Sequence, residues 1–192
     1  MEENIIPVER HPLEPFLPKG AKVLMLGSFP PAKKRWSMEF FYPNWINDMW
    51  RIIGHVFFDD RLHFVGTGKS FDKERIIEFC SEKGIALYDT ACEVRRLKDN
   101  ASDKFLEVVK ATDLVELLEK IPECKTIVTT GQKATDVICE VFGCSEPPVG
   151  GWTKCHNGIR FWRMPSSSRA YPLPLEKKAE HYRKMFETEG LL

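Results

Sequence analysis

The apolar run Val23-Leu24-Met25-Leu26 stops at Gly27-Ser28-Phe29 and meets Pro30-Pro31, and Lys33, Lys34, Arg35, Trp36, Tyr42 and Trp45 follow it. A continuous apolar run ending in glycine and proline reads as a buried parallel strand emptying into a turn. In open α/β sheets that carboxyl end is where ligands sit. Cations interleaved with aromatic faces suit phosphates and stacked bases. Asn47, where an apolar helix begins, carries an amide that can hold a water molecule by accepting from it and donating to it. Two later apolar runs end at Asp89 and at Thr130, and Pro165-Ser166-Ser167-Ser168-Arg169 follows a fourth.

Taken in order, these segments resemble the active-site regions of the uracil-DNA glycosylase superfamily, closest to the branch of mismatch-specific and hypoxanthine-DNA glycosylases. The resemblance rests on Gly27-Ser28-Phe29-Pro30 with Tyr42, Pro43, Asn47 and Trp50, then Gly84 to Asp89, Ile127 to Ala134, and Met164 to Ala170. It covers the chain roughly from Lys19 to its end. It implies a three-layer α/β/α fold with a central four-stranded parallel sheet. The implied activity is that of a monofunctional DNA glycosylase of base-excision repair, which hydrolyses the N-glycosidic bond of a flipped deaminated base. The implied partner is DNA containing such a base, with no metal and no cofactor.

Such hydrolysis needs an extruded base, a water near the sugar C1′ and help for the departing base. By the resemblance, Gly27 and Ser28 offer backbone N–H groups, Phe29 and Pro30 line the pocket floor, Tyr42 stacks on the base, Thr130 faces the pocket, and Asp89 either faces it or caps the residues that follow. Thr130 stands where many relatives read uracil with an asparagine. Phe29 replaces the usual water-positioning Asp or Asn, so the resemblance gives Asn47 the catalytic position, the alternative being an ordinary helix N-cap. Met164 replaces the usual His or Asn beside the leaving base. Pro165, Ser166, Ser167, Ser168 and Arg169 match the turn that grips DNA phosphates, and the tip from Arg169 to Tyr171 wedges into the vacated stack, with Ser168 in place of the usual leucine. Lys33, Lys34 and Arg35 read as a further candidate patch for DNA, the alternative being solvated surface charges. These departures point to hypoxanthine or a mismatched base over uracil. The alternatives are a non-catalytic DNA- or nucleotide-binding protein that retains the fold, and a small-molecule enzyme on the same scaffold.

The elements that must position these groups follow from composition and pattern. With 192 residues, 43% hydrophobic and 29% charged, the chain fits one globular domain, with residues 1–19 as an extended, proline-bearing arm. Formal charge is zero, so DNA must be held by local cationic patches. No membrane span or signal peptide is visible, and a cytoplasmic monomer is expected. Six cysteines without Cys-x-x-Cys or zinc spacing read as reduced thiols. His55, His63 and His156 match no catalytic position. Strands are expected at 22–26, 85–88, 126–130 and 160–164, and helices at 46–57, 72–83, 113–120, 133–142 and 176–188. The stretches 93–103 and 145–157 read as irregular.

Overall fold

The computed structural model describes residues 5–100 and 102–192. In chain order the elements are β1 (Val8–Arg10), β2 (Val23–Gly27), α1 (Met49–Phe58), α2 (Lys73–Lys83), β3 (Ile85–Asp89), β4 (Ala91–Arg96) and β5 (Leu106–Ala111). There follow α3 (Leu114–Glu119), β6 (Thr126–Thr130), α4 (Gln132–Phe142), β7 (Gly151–Lys154), β8 (Arg160–Met164) and α5 (Leu175–Thr188). The main sheet has the order β3-β2-β6-β8-β7. Its first four strands pair in parallel, in the registers Gly27 with Asp89 and Thr130 with Met164.

The uninterrupted apolar runs produce this sheet because a parallel strand covered on both faces needs no polar side. Every residue of β2, β3 and β6 is buried. Right-handed crossovers then place the helices between β2 and β3 on one face and those following β3 and β6 on the other. The layers are α/β/α. Helix ends obey local chemistry: Asp72 and Asp113 cap α2 and α3 by accepting from the N–H groups of Arg75 and Glu116, and Gly84 closes α2 at φ 73°.

Four expectations require correction. The stretch after β3, read as irregular, begins with the strand β4, which forms an antiparallel hairpin with β5 and also pairs with β1 in a second, three-stranded sheet. Its only fully buried residues are Ala91 and Val94, too few to write an alternating pattern. The loop around Trp152 contains β7, an antiparallel edge strand added to the four parallel ones, with Trp152 under the Arg160 guanidinium at 4.7 Å from the ring centre. Cys144 and Cys155, expected to be reduced, form a disulfide with Cα atoms 5.3 Å apart, tying the exit of α4 to the end of β7. Such a pair leaves no signature in spacing. Helix α1 also starts at Met49 instead of Ile46, and Ile46 is 51% exposed.

The N-terminal segment meets both sheets. β1 pairs with β4, and Phe16 exchanges both main-chain hydrogen bonds with Leu87 at the open edge of β3, 3.0 and 2.9 Å. An edge covered in this way is closed to further strand pairing. No helix is long and apolar enough to cross a membrane among the described residues.

Candidate active-site cleft

A cleft of about 720 Å³ lies at the carboxyl ends of β2, β3 and β6. That volume is within the usual range of about 300–1,000 Å³ for small-ligand sites. Gly27, Ser28, Phe29, Pro30, Arg35, Tyr42, Asn47, Asp89, Thr130, Ser166, Ser167, Ser168, Arg169 and Tyr171 all line it. Met164 and Pro165 do not. Met164 was expected beside the leaving base, yet it is 1% exposed and packed in the core, its backbone paired with Thr130. Met164 closes β8 and its side chain packs into the main hydrophobic core. Lys33 and Lys34 also stand outside the cleft lining, paired with Glu39 and Asp99.

Tyr42 is held at φ 52°, a region bulky side chains seldom occupy. Trp50 fixes the loop by donating its indole N–H to Phe41 O at 2.9 Å, with the two rings of Tyr42 and Trp50 edge to face at 6.1 Å. The Tyr42 hydroxyl lies 3.1 Å from Thr130 Oγ1. Burial, with the Asp89 charge adding to it, raises the phenol far above its ordinary range, so Tyr42 stays neutral.

Asn47 and the serine turn are positioned together. Asn47 Oδ1 accepts the Met49 N–H at 3.0 Å, and Asp48 N–H donates to Ser167 O at 2.9 Å. One lone pair of the Asn47 oxygen is therefore used at the helix start, which leaves its second lone pair and Nδ2 as the groups it can offer to the cleft. Beneath the turn, the Asp48 carboxylate takes Arg51 Nη1 at 3.0 Å and Arg169 Nε at 3.1 Å, while Lys178 Nζ donates to Ser168 O at 2.7 Å. One carboxylate thus faces three cations, leaving the turn with excess positive charge.

Phe29 does not fill the cleft. Its ring joins Ala91, Val94 and Leu106 in a small cluster beneath the β4–β5 hairpin. Across from it the Asp89 carboxylate receives His11 Nε2 at 2.7 Å, and His11 Nδ1 accepts the Leu13 N–H at 3.1 Å. The second bond fixes the tautomer: Nδ1 is bare and Nε2 carries the proton. His11 comes from the N-terminal segment, and no local pattern marks it.

The hairpin brings Arg96 to the cleft and adds Asp103 and Lys104, which sequence reasoning missed. Arg96 grips the Glu9 carboxylate at 3.1 and 3.0 Å and also donates to Pro30 O at 3.2 Å, fixing the strand-end loop. Asp103 has its carboxyl raised above the ordinary range by burial and by Asp89, against the opposing pull of the Ser28 hydroxyl, Lys133 and Arg96. Arg35 Nε is buried without a hydrogen-bond partner among the described residues. An unsatisfied guanidinium donor in a cleft is a place for an anionic oxygen.

No family model and no curated protein matches the chain. Among solved structures it is similar to a solution NMR structure of a putative uracil DNA glycosylase from Methanosarcina acetivorans, with 20% identity, a TM-score of 0.65, and coverage of 96% of this chain and 99% of that one. The likeness shows the fold: a uracil-DNA glycosylase-like α/β/α arrangement built on a mostly parallel sheet.

Proposed function

We propose that the protein is a DNA N-glycosylase of base-excision repair, hydrolysing the N-glycosidic bond of a flipped deaminated base, hypoxanthine before uracil. The observation that carries this reading is that segments around residues 27–30, 42–47, 89, 130 and 166–171, far apart in sequence, line one cleft. Its volume suits a base with part of its sugar, Tyr42 offers an aromatic face, and Arg35 and the cationic serine turn are suited to flanking phosphates. The fold shared with the archaeal protein supports the same reading. Thr130, engaged by Tyr42, lacks the paired donor and acceptor that would select a pyrimidine edge.

Stacking on an aromatic ring is worth about 1–3 kcal/mol per base. Tyr42→Ala is therefore expected to weaken binding of a hypoxanthine-containing duplex by roughly 5- to 150-fold, read by fluorescence anisotropy, while Tyr42→Phe stays near wild type. An equal loss in both variants would remove the ring as a stacking platform.

The decisive assay converts abasic sites to strand breaks on duplexes holding hypoxanthine, uracil or a mismatch, with Asn47→Ala beside the wild type. Release of base by the wild type, reduced about tenfold or more by the substitution, is the expected result. Tight, salt-dependent binding without release at any lesion would instead mark a non-catalytic DNA-binding protein of the same fold, a reading favoured by Phe29 at the usual polar position.

A further inference from the structure

We infer that Asp103, delivered by the connection between β4 and β5, is the catalytic base of this cleft and takes the place left empty by Phe29. The inference rests on the glycosylase reading and names the residue that reading lacks. Attack on C1′ requires an acceptor for a proton of the water. Phe29 has none, and the side chain of Asn47 is an amide, which can orient a water but cannot take up its proton. Among the described residues lining the cleft, the carboxylates are those of Asp89 and Asp103.

Asp89 is committed elsewhere. Its Oδ2 receives His11 Nε2, and its Oδ1 lies against the face of Gly27, where an added Cβ would stand 2.6 Å away. Among the described residues Asp103 has no ion pair of that kind. It comes to the end of β2 beside the Ser28 hydroxyl, and the next residue, Phe29, packs against Leu106. The hairpin thus does two things at this strand end: it buries the phenyl ring and supplies a carboxylate to the same rim.

The step balances as a simple hydrolysis. The water oxygen bonds to C1′ while the C1′–N bond breaks, and the bonding pair leaves with the base. A water proton passes to the Asp103 carboxylate, and the base anion takes a proton from solvent. The groups that set the charge of Asp103 are Ser28 at the end of β2, Asp89 of β3, Arg96 of β4 and Lys133 of α4. Because burial raises this carboxyl, it becomes a competent base only above the range of an ordinary aspartate, about 3.9. The wild-type rate should therefore climb with pH along a limb lying above that value.

The test is single-turnover base release from a hypoxanthine duplex across pH, for the wild type and Asp103→Asn. General-base catalysis contributes about 10²–10⁴-fold, so the variant is expected to lose at least about 10²-fold in rate and its acid limb, with duplex affinity within about threefold. A carboxyl raised by folding contributes stability only while protonated and loses it as pH rises through its folded pKa. The variant's neutral-pH melting temperature should accordingly equal or exceed that of the wild type, a result that a merely structural role would reverse. An active wild type without that acid limb, or an Asp103→Asn variant within about threefold in rate, overturns Asp103 and leaves the glycosylase reading standing. A wild type that releases no base overturns both.

Discussion

Asp48→Ala is expected to lower stability by about 3–5 kcal/mol, the usual result of removing one partner from a buried ion pair. At about 2–4 °C per kcal/mol for a chain of this length, the melting temperature falls by roughly 6–20 °C. The carboxylate is 10% exposed and receives Arg51 and Arg169. Burial pushes the Arg51 guanidinium down, and Asp48 holds it up; the same two opposing causes act on Lys178. Without Asp48, three cations face one another with no counter-charge. Asp48→Asn preserves volume and should recover little, because charge is what is missing.

The loss should be specific in space. Arg51 is anchored besides by Trp45 O at 2.8 Å and lies over the Trp45 ring at 4.2 Å, so α1 keeps its seat. Arg169 has no second anchor of that kind among the described residues and is 49% exposed on its side chain. The serine turn should loosen first, seen as faster amide exchange at Ser168 and Ala170 before global unfolding. A melting temperature within about 2 °C of wild type would show that solvent reaches the pair and screens it.

What could be read from the chain divides along a physical line. β2, β3, β6 and the ends of α2 and α3 were legible because a buried parallel strand, an aspartate N-cap and a left-handed glycine are each written within a few residues. Gly27, Tyr42, Asn47 and the 166–169 turn were legible as a set because their order resembles a family, and the cleft does gather them. Met164 was misplaced because its burial comes from core packing around the end of β8, which its own motif does not record. The hairpin was missed because β4 is stabilised from both sides by remote partners, β1 and β5, and its own apolar content is slight. With the hairpin went Asp103, and with the N-terminal segment went His11. Asp103 lines the cleft and His11 holds Asp89 beside it, each placed by tertiary pairing that no local spacing records.

Gly27→Ala should abolish most function with one methyl group. The residue has ordinary strand geometry, so backbone strain plays no part; the constraint is space. In the parallel register Gly27 faces Asp89, and the new Cβ would stand 2.6 Å from Asp89 Oδ1 and 3.8 Å from the Tyr42 hydroxyl. A long surface side chain would swing aside, but Asp89 is short and its other oxygen is tied to His11 at 2.7 Å. Something must give by several tenths of an ångström or more, and each candidate, Asp89, Tyr42 or the end of β2, belongs to the cleft. Overpacking of this kind costs about 1–3 kcal/mol, and a misplacement near 1 Å in a reacting site costs about 10²-fold in rate. Base release should therefore fall about 10²-fold while the protein remains folded at 25 °C. Pairing the change with Asp89→Ser separates the two effects. The smaller side chain removes the clash, so the double variant should be more stable than the two single losses added together, yet it should not regain its rate. Full activity and an unchanged melting temperature in Gly27→Ala would mean that Asp89 and His11 move freely as a unit, and that glycine at this strand end serves only the turn.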